Sequence, residues 1–232
     1  MQTHQPAQNK RADRIIGLFK FGKPEDLEEL RRGKLYLNNL GYFKKLEADD
    51  PRYDDWESAD SVFAPGTIQL QTDDKSIVIP PDSFASHLRY YSDHTSVLHV
   101  FCMCAVLESK ADALFKCRDF GFGESWVLFH SADEFLRRVR LAAEARELSF
   151  KCQLVEYLDE SSFSGSMGPF RKRQKFCSES EARIVLGPGG PGPLRLEVGD
   201  LSDLIDPVRG LDDLSKRILI DYPSQREETA AG

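Results

Sequence analysis

Lys175-Phe176-Cys177-Ser178-Glu179-Ser180-Glu181-Ala182-Arg183-Ile184-Val185-Leu186 is the stretch on which both fold and chemistry turn. Its front half is polar and its back half apolar, the pattern of a strand that runs from a site into a core. Alternate side chains of a strand share a face. Glu179, Glu181 and Arg183 are therefore expected on one side, and Ala182, Ile184 and Leu186 on the other. Two carboxylates two residues apart on one face lie about 7 Å apart. At that separation both reach one small ligand, and each raises the other's pKa. Arg183, next along, is placed to hold one of them ionised. The competing reading is a solvated strand face with a chance Glu-x-Glu, because charged side chains are mostly exposed.

Outward from this stretch, residues 187–193 (Gly-Pro-Gly-Gly-Pro-Gly-Pro) read as a turn, and residues 194–198 alternate as a strand should. On the other side, Arg171-Lys172-Arg173-Gln174-Lys175 is a basic run that reads as a solvated loop. Residues 98–107 are almost continuously apolar, which predicts a central strand covered on both faces. Residues 126–130 form a strand after a Gly-rich turn. A helix follows to about residue 148, opened by Ser131 and Glu134 as a capping box. Residues 150–158 read as another strand and 161–170 as a loop.

Nearer the start, residues 14–22 read as the first strand. Residues 24–33 form a helix, with Pro24 in its first turn and Gly33 at its close. A strand at 34–38 and a short aromatic segment at 40–46 come next. Residues 49–57 make an acidic loop whose Trp56 is expected to tuck onto the core. Arg52, Asp54 and Glu57 are weak candidates there, since loops carry function disproportionately. Residues 67–79 predict a hairpin, 201–205 a short helix and 217–220 a last strand. Residues 1–13 and 223–232 read as flexible tails around a single domain at 14–222. Many short strands with two or three helices define an α+β class.

The chain has 232 residues, 41% hydrophobic and 30% charged, enough for one domain with a real core. Its net charge of −7 and pI near 5.3 give no broad nucleic-acid footprint. Five cysteines without a C-x-x-C pair read as reduced thiols, Cys104 among them as a buried one. The five histidines lack zinc-ligand spacing. No apolar run approaches the ~20 residues of a membrane span, so a cytoplasmic protein with no membrane partner is expected.

Taken in order, these pieces resemble a known family. A strand ending Leu18-Phe19-Lys20-Phe21 precedes a short helix closed by Gly33 and a strand carrying Tyr36. An apolar strand with Cys102-Met103-Cys104 and the late Glu-x-Glu-x-Arg strand follow. The set resembles the ADP-ribosyltransferase-like superfamily, particularly its divergent bacterial toxins and defence effectors. The resemblance spans residues 18–198 in element order. It implies a split mixed or antiparallel sheet with a few flanking helices, NAD as co-substrate, and no metal. In that superfamily the late glutamate holds the nicotinamide-ribose 2′-hydroxyl and the glutamate two residues earlier prepares the acceptor. Those catalytic roles fall on Glu181 and Glu179. Lys20 stands near the Arg or His of classical members, and Cys102-Met103-Cys104 near the Ser-Thr-Ser strand that some carry. The histidine-tyrosine-glutamate branch would instead stack nicotinamide on Tyr36, or on Tyr42 with Phe43, and the two branches stay open. Lys20 or Arg52 is expected at the pyrophosphate, with Phe21 and Arg183 completing the NAD-binding set. Beside an active strand, the basic run 171–175 would meet phosphates of NAD or of a nucleic-acid acceptor.

The chemistry suits these residues. Breaking the nicotinamide–ribose bond builds oxocarbenium character, as in glycoside cleavage, and a carboxylate at the 2′-hydroxyl stabilises it most in the transition state. The implied partners are a macromolecular acceptor, protein or nucleic acid, and an antitoxin or immunity protein. Two alternatives stand beside this one. One is a metal-dependent nuclease or phosphodiesterase using Asp54, Asp55, Glu57, Glu179 and Glu181 as oxygen ligands. The other is a catalytically silent binding module of the same fold.

Overall fold

The long apolar strand predicted at 98–107 is the spine of the structure, and every other large strand is placed by it. The computed structural model describes residues 13–43, 46, 53–57, 59–65, 69–92, 97–109 and 123–214. In chain order the elements are β1 (Ile15–Gly22), α1 (Pro24–Arg31), β2 (Lys34–Asn39), α2 (Leu40–Phe43), β3 (Ser61–Phe63), β4 (Gln69–Gln71), β5 (Ser76–Val78), β6 (Leu88–Tyr90) and β7 (His99–Leu107). Then follow β8 (Ser125–Leu128), α3 (Ala132–Glu144), β9 (Ser149–Leu154), β10 (Glu156–Leu158), β11 (Gly165–Ser166), β12 (Arg171–Arg173), β13 (Glu181–Gly187), β14 (Leu194–Glu197) and β15 (Arg209–Gly210). The fold is mixed α and β, mostly antiparallel, with few helices. The tails and the strand expected at 217–220 lie outside the described residues, apart from Asp13.

The main sheet runs β14-β2-β7-β1-β8-β15, with β13 on the far edge of β7 and β9 beyond it. β1 pairs with β7 from Ile15 to Phe19, then turns to β8. β2 joins the same edge of β7 only at Val100 and His99. The edge is thus shared by two strands that part between residues 100 and 104. Lys20 fills the part: its Nζ donates to Cys102 O at 2.8 Å and lies 4.8 Å over the Phe101 ring.

Strand alternation divides the sheet into two unlike faces. Phe101, Met103 and Ala105 of β7 and Ala182, Ile184 and Leu186 of β13 enter the large core with Leu27 and Leu30 of α1 and Phe135 and Val139 of α3. That is the apolar half of the pattern read from residues 175–186. The other face carries Val100, Cys102 and Cys104 of β7 opposite Val185, Arg183 and Glu181 of β13. It is closed by α2 and by irregular segments, with Leu40, Val100 and Val185 forming a small apolar patch.

Several local expectations change. The segment 175–186 is not one strand: Gln174–Glu179 coil as a 3-10 helix, Ser180 is left-handed at φ 45°, and β13 starts at Glu181. Residues 150–158 divide into β9 and β10 because Val155 turns inward. The basic run is no solvated loop, for β12 pairs in parallel with β10 and buries Lys172 and Arg173. Ser131 precedes α3 but makes no side-chain cap; Arg137 and Arg138 take the Glu134 carboxylate instead. Residues 201–205 form a single turn, and the loop at 161–170 contributes β11, which pairs with β3.

Gly33 closes α1 as its position suggests. Its φ is +83°, and a Cβ there would meet Gly199 O at 1.9 Å. The same approach lets Val198 N–H donate to Gly33 O at 2.9 Å, tying the helix end to β14. Gly33→Ala meets both the left-handed backbone and a backbone wall that cannot move aside. It should lower the unfolding free energy in denaturant titration by about 2 kcal/mol or more.

Candidate active site

The ionic face of β13 holds seven buried charged side chains: Asp54, Glu57, Lys172, Arg173, Glu179, Glu181 and Arg183. Their burial removes the solvated-face reading, since Glu179 is 8% exposed, Glu181 6% and Arg183 3%. Charges are buried in this way only when each finds a partner.

Arg183 is the centre. Its Nε and Nη2 donate to the two oxygens of Glu181 at 2.6 and 3.1 Å. Nη1 and Nη2 donate to the two oxygens of Glu57 at 2.7 and 3.2 Å, and Nη1 also reaches Pro169 O at 2.7 Å. These five bonds use the five N–H donors of a guanidinium. Glu57 is brought there by a turn in which Asp54 Oδ1 accepts the Trp56 N–H at 2.9 Å, while Trp56 anchors a small cluster with Ala59, Val62 and Met167.

Lys172, on β12, links the two glutamates. Its Nζ lies 2.5 Å from Glu179 Oε2, 3.4 Å from Glu181 Oε2 and 4.7 Å over the Phe176 ring. The left-handed residue between the glutamates makes this possible. Ser180 Oγ donates to Ala105 O at 2.6 Å, and Ala105 N–H donates to Ser180 O at 2.7 Å. The chain is thereby pinned to β7 at the turn, with Glu179 before it and Glu181 after it directed at one ammonium. The backbone N–H of Glu181 donates to Tyr157 Oη at 2.9 Å. Arg173 completes the set: its Nε donates to Asp54 Oδ1 at 2.9 Å and its Nη2 lies 2.5 Å from Asp55.

The two carboxyls are pushed apart in pKa. Burial drives Glu179 up to about 7, with the Glu181 charge adding to it against the pull of Lys172. Burial also raises Glu181, but Arg183 and Lys172 outweigh it and hold that carboxyl well below the usual range. Asp54 is raised by burial and by Glu57, and its Oδ2 has no hydrogen-bond partner among the described residues. Cys102, beside Glu181, is driven up by burial and by that carboxylate, so its thiol stays protonated.

The candidates read from sequence separate by sheet face. Glu181, Glu179 and Arg183 are together, and the weak candidates Asp54 and Glu57 join them. Tyr42 and Phe43 meet edge to face at 5.4 Å on α2, with Phe43 against the Val185 end of the same face. Tyr36 is 51% exposed on that face too, with Arg195 6.0 Å over its ring. Phe21 packs farther along with Phe19 and Trp126. Lys20 is not brought to Glu181: it alternates with Phe19 and Phe21, shares the core face with Leu18 and Val127, and is engaged by Cys102 O. Arg52 lies outside the described residues. Lys172 was missed as a partner of the glutamates, because a run of bases carries no signal for which of them turns inward. Each acid of the nuclease alternative faces a base, Asp54 and Asp55 at Arg173, Glu57 and Glu181 at Arg183, and Glu179 at Lys172.

No protein-family profile, no curated protein and no solved structure matches the chain. Among the described residues no helix is long and apolar enough to cross a membrane.

Removing Arg183 leaves two carboxylates buried against each other. Arg183→Met should cost about 3–5 kcal/mol in denaturant unfolding. Glu179 has a signature in pH. Its folded pKa lies above the unfolded value, so its contribution to stability is full below the ordinary carboxylate range and is lost as pH rises to about 7. Glu181 acts in the opposite sense, and its contribution is lost as pH falls below that range. The parent protein should therefore be less stable at about pH 7.5 than at about pH 5, by an amount on the order of 1–3 kcal/mol. Glu179→Gln should flatten that slope.

Proposed function

We propose that this protein is a mono-ADP-ribosyltransferase that cleaves NAD and transfers ADP-ribose to a macromolecular acceptor. The observation that carries the reading is the pair Glu179 and Glu181, held by one ammonium on either side of a pinned left-handed residue, with pKa values pushed apart. Two titratable groups driven apart by their surroundings take different parts in acid–base and electrostatic catalysis. Glu181, ionised at neutral pH and fixed by Arg183, is suited to the ribose 2′-hydroxyl and to the developing oxocarbenium charge. Its oxygens already meet Arg183, Lys172 and the Cys102 thiol, so the ribose hydroxyl would take the place of a weaker partner, the thiol or the ammonium 3.4 Å away. Glu179, near the working pH, is suited to take the proton of the acceptor nucleophile. Tyr36 and Tyr42 offer exposed rings on the same face for the nicotinamide or adenine. The order β1, α1, β2, a central apolar strand and a late Glu-x-Glu-x-Arg segment leading into β13 supports the same reading.

Because Glu181 is nearly covered, the reading requires the lid of β12 and residues 54–57 to part from β13 when NAD enters. That lid rests on the small Trp56 cluster rather than on the main core, and regions with few apolar contacts open first.

The test is incubation with labelled NAD and cell lysate in EDTA, followed by protease or nuclease digestion to see which removes the label. Glu181→Gln should lower nicotinamide release by about 10²–10³. It should also destabilise the fold more than Glu179→Gln does, so both variants are compared at a temperature where circular dichroism shows them folded. Glu179→Gln should spare hydrolysis of NAD to water more than transfer. No nicotinamide release by the parent, or full release by folded Glu181→Gln, would overturn the reading.

A further inference from the structure

Among the described residues the main sheet ends at β9 on one side. β9 pairs with β13, and with no other strand among the described residues. Val155 N–H donates to Glu181 O at 2.8 Å, just beyond the end of β9. Alternation then aims the backbone N–H and C=O of Gln153 and Lys151 at β13, and those of Phe150, Cys152 and Leu154 outward. Such outward groups are a template for another strand unless something guards them.

The side chains at those three outward positions share one face and are half-buried at Phe150 and Cys152. Phe150, Cys152 and Leu154 line a shallow groove of about 450 Å³ together with Leu136, Arg140 and Ala182. Leu154 is 40% exposed and Ile15, at the groove's end, 46%. Apolar surface concentrated beside an open strand edge marks a docking place.

Charge tells what docks there. Arg140 lies 5.1 Å over the Phe150 ring at the groove, and Lys151 is exposed on the opposite face of β9. Neither makes an ion pair among the described residues, although the chain as a whole carries a net charge of −7. The edge is therefore locally basic on an acidic protein. A second copy paired antiparallel about Cys152 would set Lys151 opposite Gln153 and so bring it no carboxylate.

We propose that the edge of β9 and its groove receive an extended acidic segment of a partner protein, which adds to the sheet as a further strand. Backbone bonds to Phe150, Cys152 and Leu154 would supply the affinity, and alternate side chains the specificity. Strand parity sets the pattern. Residues of the partner over the groove are apolar, and those between them, facing Lys151, are acidic. This surface is separate from the glutamate site and does not rest on the activity assigned to it.

The experiment uses the full chain and two fluorescent octapeptides, one alternating valine with glutamate and one alternating valine with lysine, read by anisotropy and by amide exchange. The glutamate peptide should bind the more tightly, with slowed exchange at Phe150, Cys152 and Leu154. Cys152→Pro removes an outward N–H without touching the β13 ladder and should weaken binding by about tenfold. Lys151→Glu should reverse the preference between the peptides. If the proline variant does not fold by circular dichroism, the charge reversal decides. Equal or absent binding of the two peptides, an unreversed preference, or protection away from β9 would overturn the proposal and leave Lys151 as a guard against edge pairing. A dimer in sedimentation that Lys151→Glu alters would make a second copy the occupant, and would overturn it also.

Discussion

The guanidinium of Arg183, bonded five times inside the sheet, is the constraint on which the ionic half of the structure depends. It joins residues far apart in sequence: Glu57 from an early turn, Pro169 from a late loop and Glu181 from its own strand. A guanidinium withdrawn from water is costly, and its attraction to carboxylates repays that cost only when the geometry is close and every donor is used. Both conditions hold here. An apolar set of similar volume would fold as well or better. Four acids and three bases beneath one sheet face are therefore a candidate site rather than a device for stability.

The sheet separates two environments with one set of strands. Toward α1 and α3 it presents alternate apolar residues to a continuous core. Toward β12 and residues 54–57 it presents Glu181 and Arg183 to partners on short, irregular segments whose apolar anchor is four buried side chains. The first side packs β13 into the core, which places Glu181, while the turn at Ser180 places Glu179 beside it. The second side has little apolar area to lose on opening. The apolar core and the ionic cluster therefore lie on opposite faces of the same β-strand.

Protonation follows from the same arrangement. With four buried acids to three buried bases, the set holds one negative charge too many when fully ionised. Arg183 and Lys172 both reach Glu181, whereas Glu179 has Lys172 alone, so Glu179 is the more readily protonated of the two. A left-handed serine costs on the order of 1–3 kcal/mol. Here that strain is held by two hydrogen bonds to Ala105 and sets two carboxyls against one ammonium.

Much of the fold was legible in the chain. Unbroken apolar sequence marked β7 as central, Pro24 and Gly33 bounded α1, and the alternation of Ala182, Ile184 and Leu186 named the core face of β13. These are local rules of period and backbone freedom, and they act over a few residues. The sequence also paired Glu181 with Arg183, since two residues apart on a strand is one face. It did not reveal that Glu179 leaves the strand, because the turn at Ser180 is stabilised by Ala105, some 75 residues away. Nor did it show which base of 171–175 turns inward, or that Lys20 is bound to Cys102 O on the other face. Composition and spacing determine which side chains share a face. Whether a charge on that face meets water or a partner is decided only when distant segments fold over it, because the energy of a buried ion depends on every charge and dipole within a few ångströms.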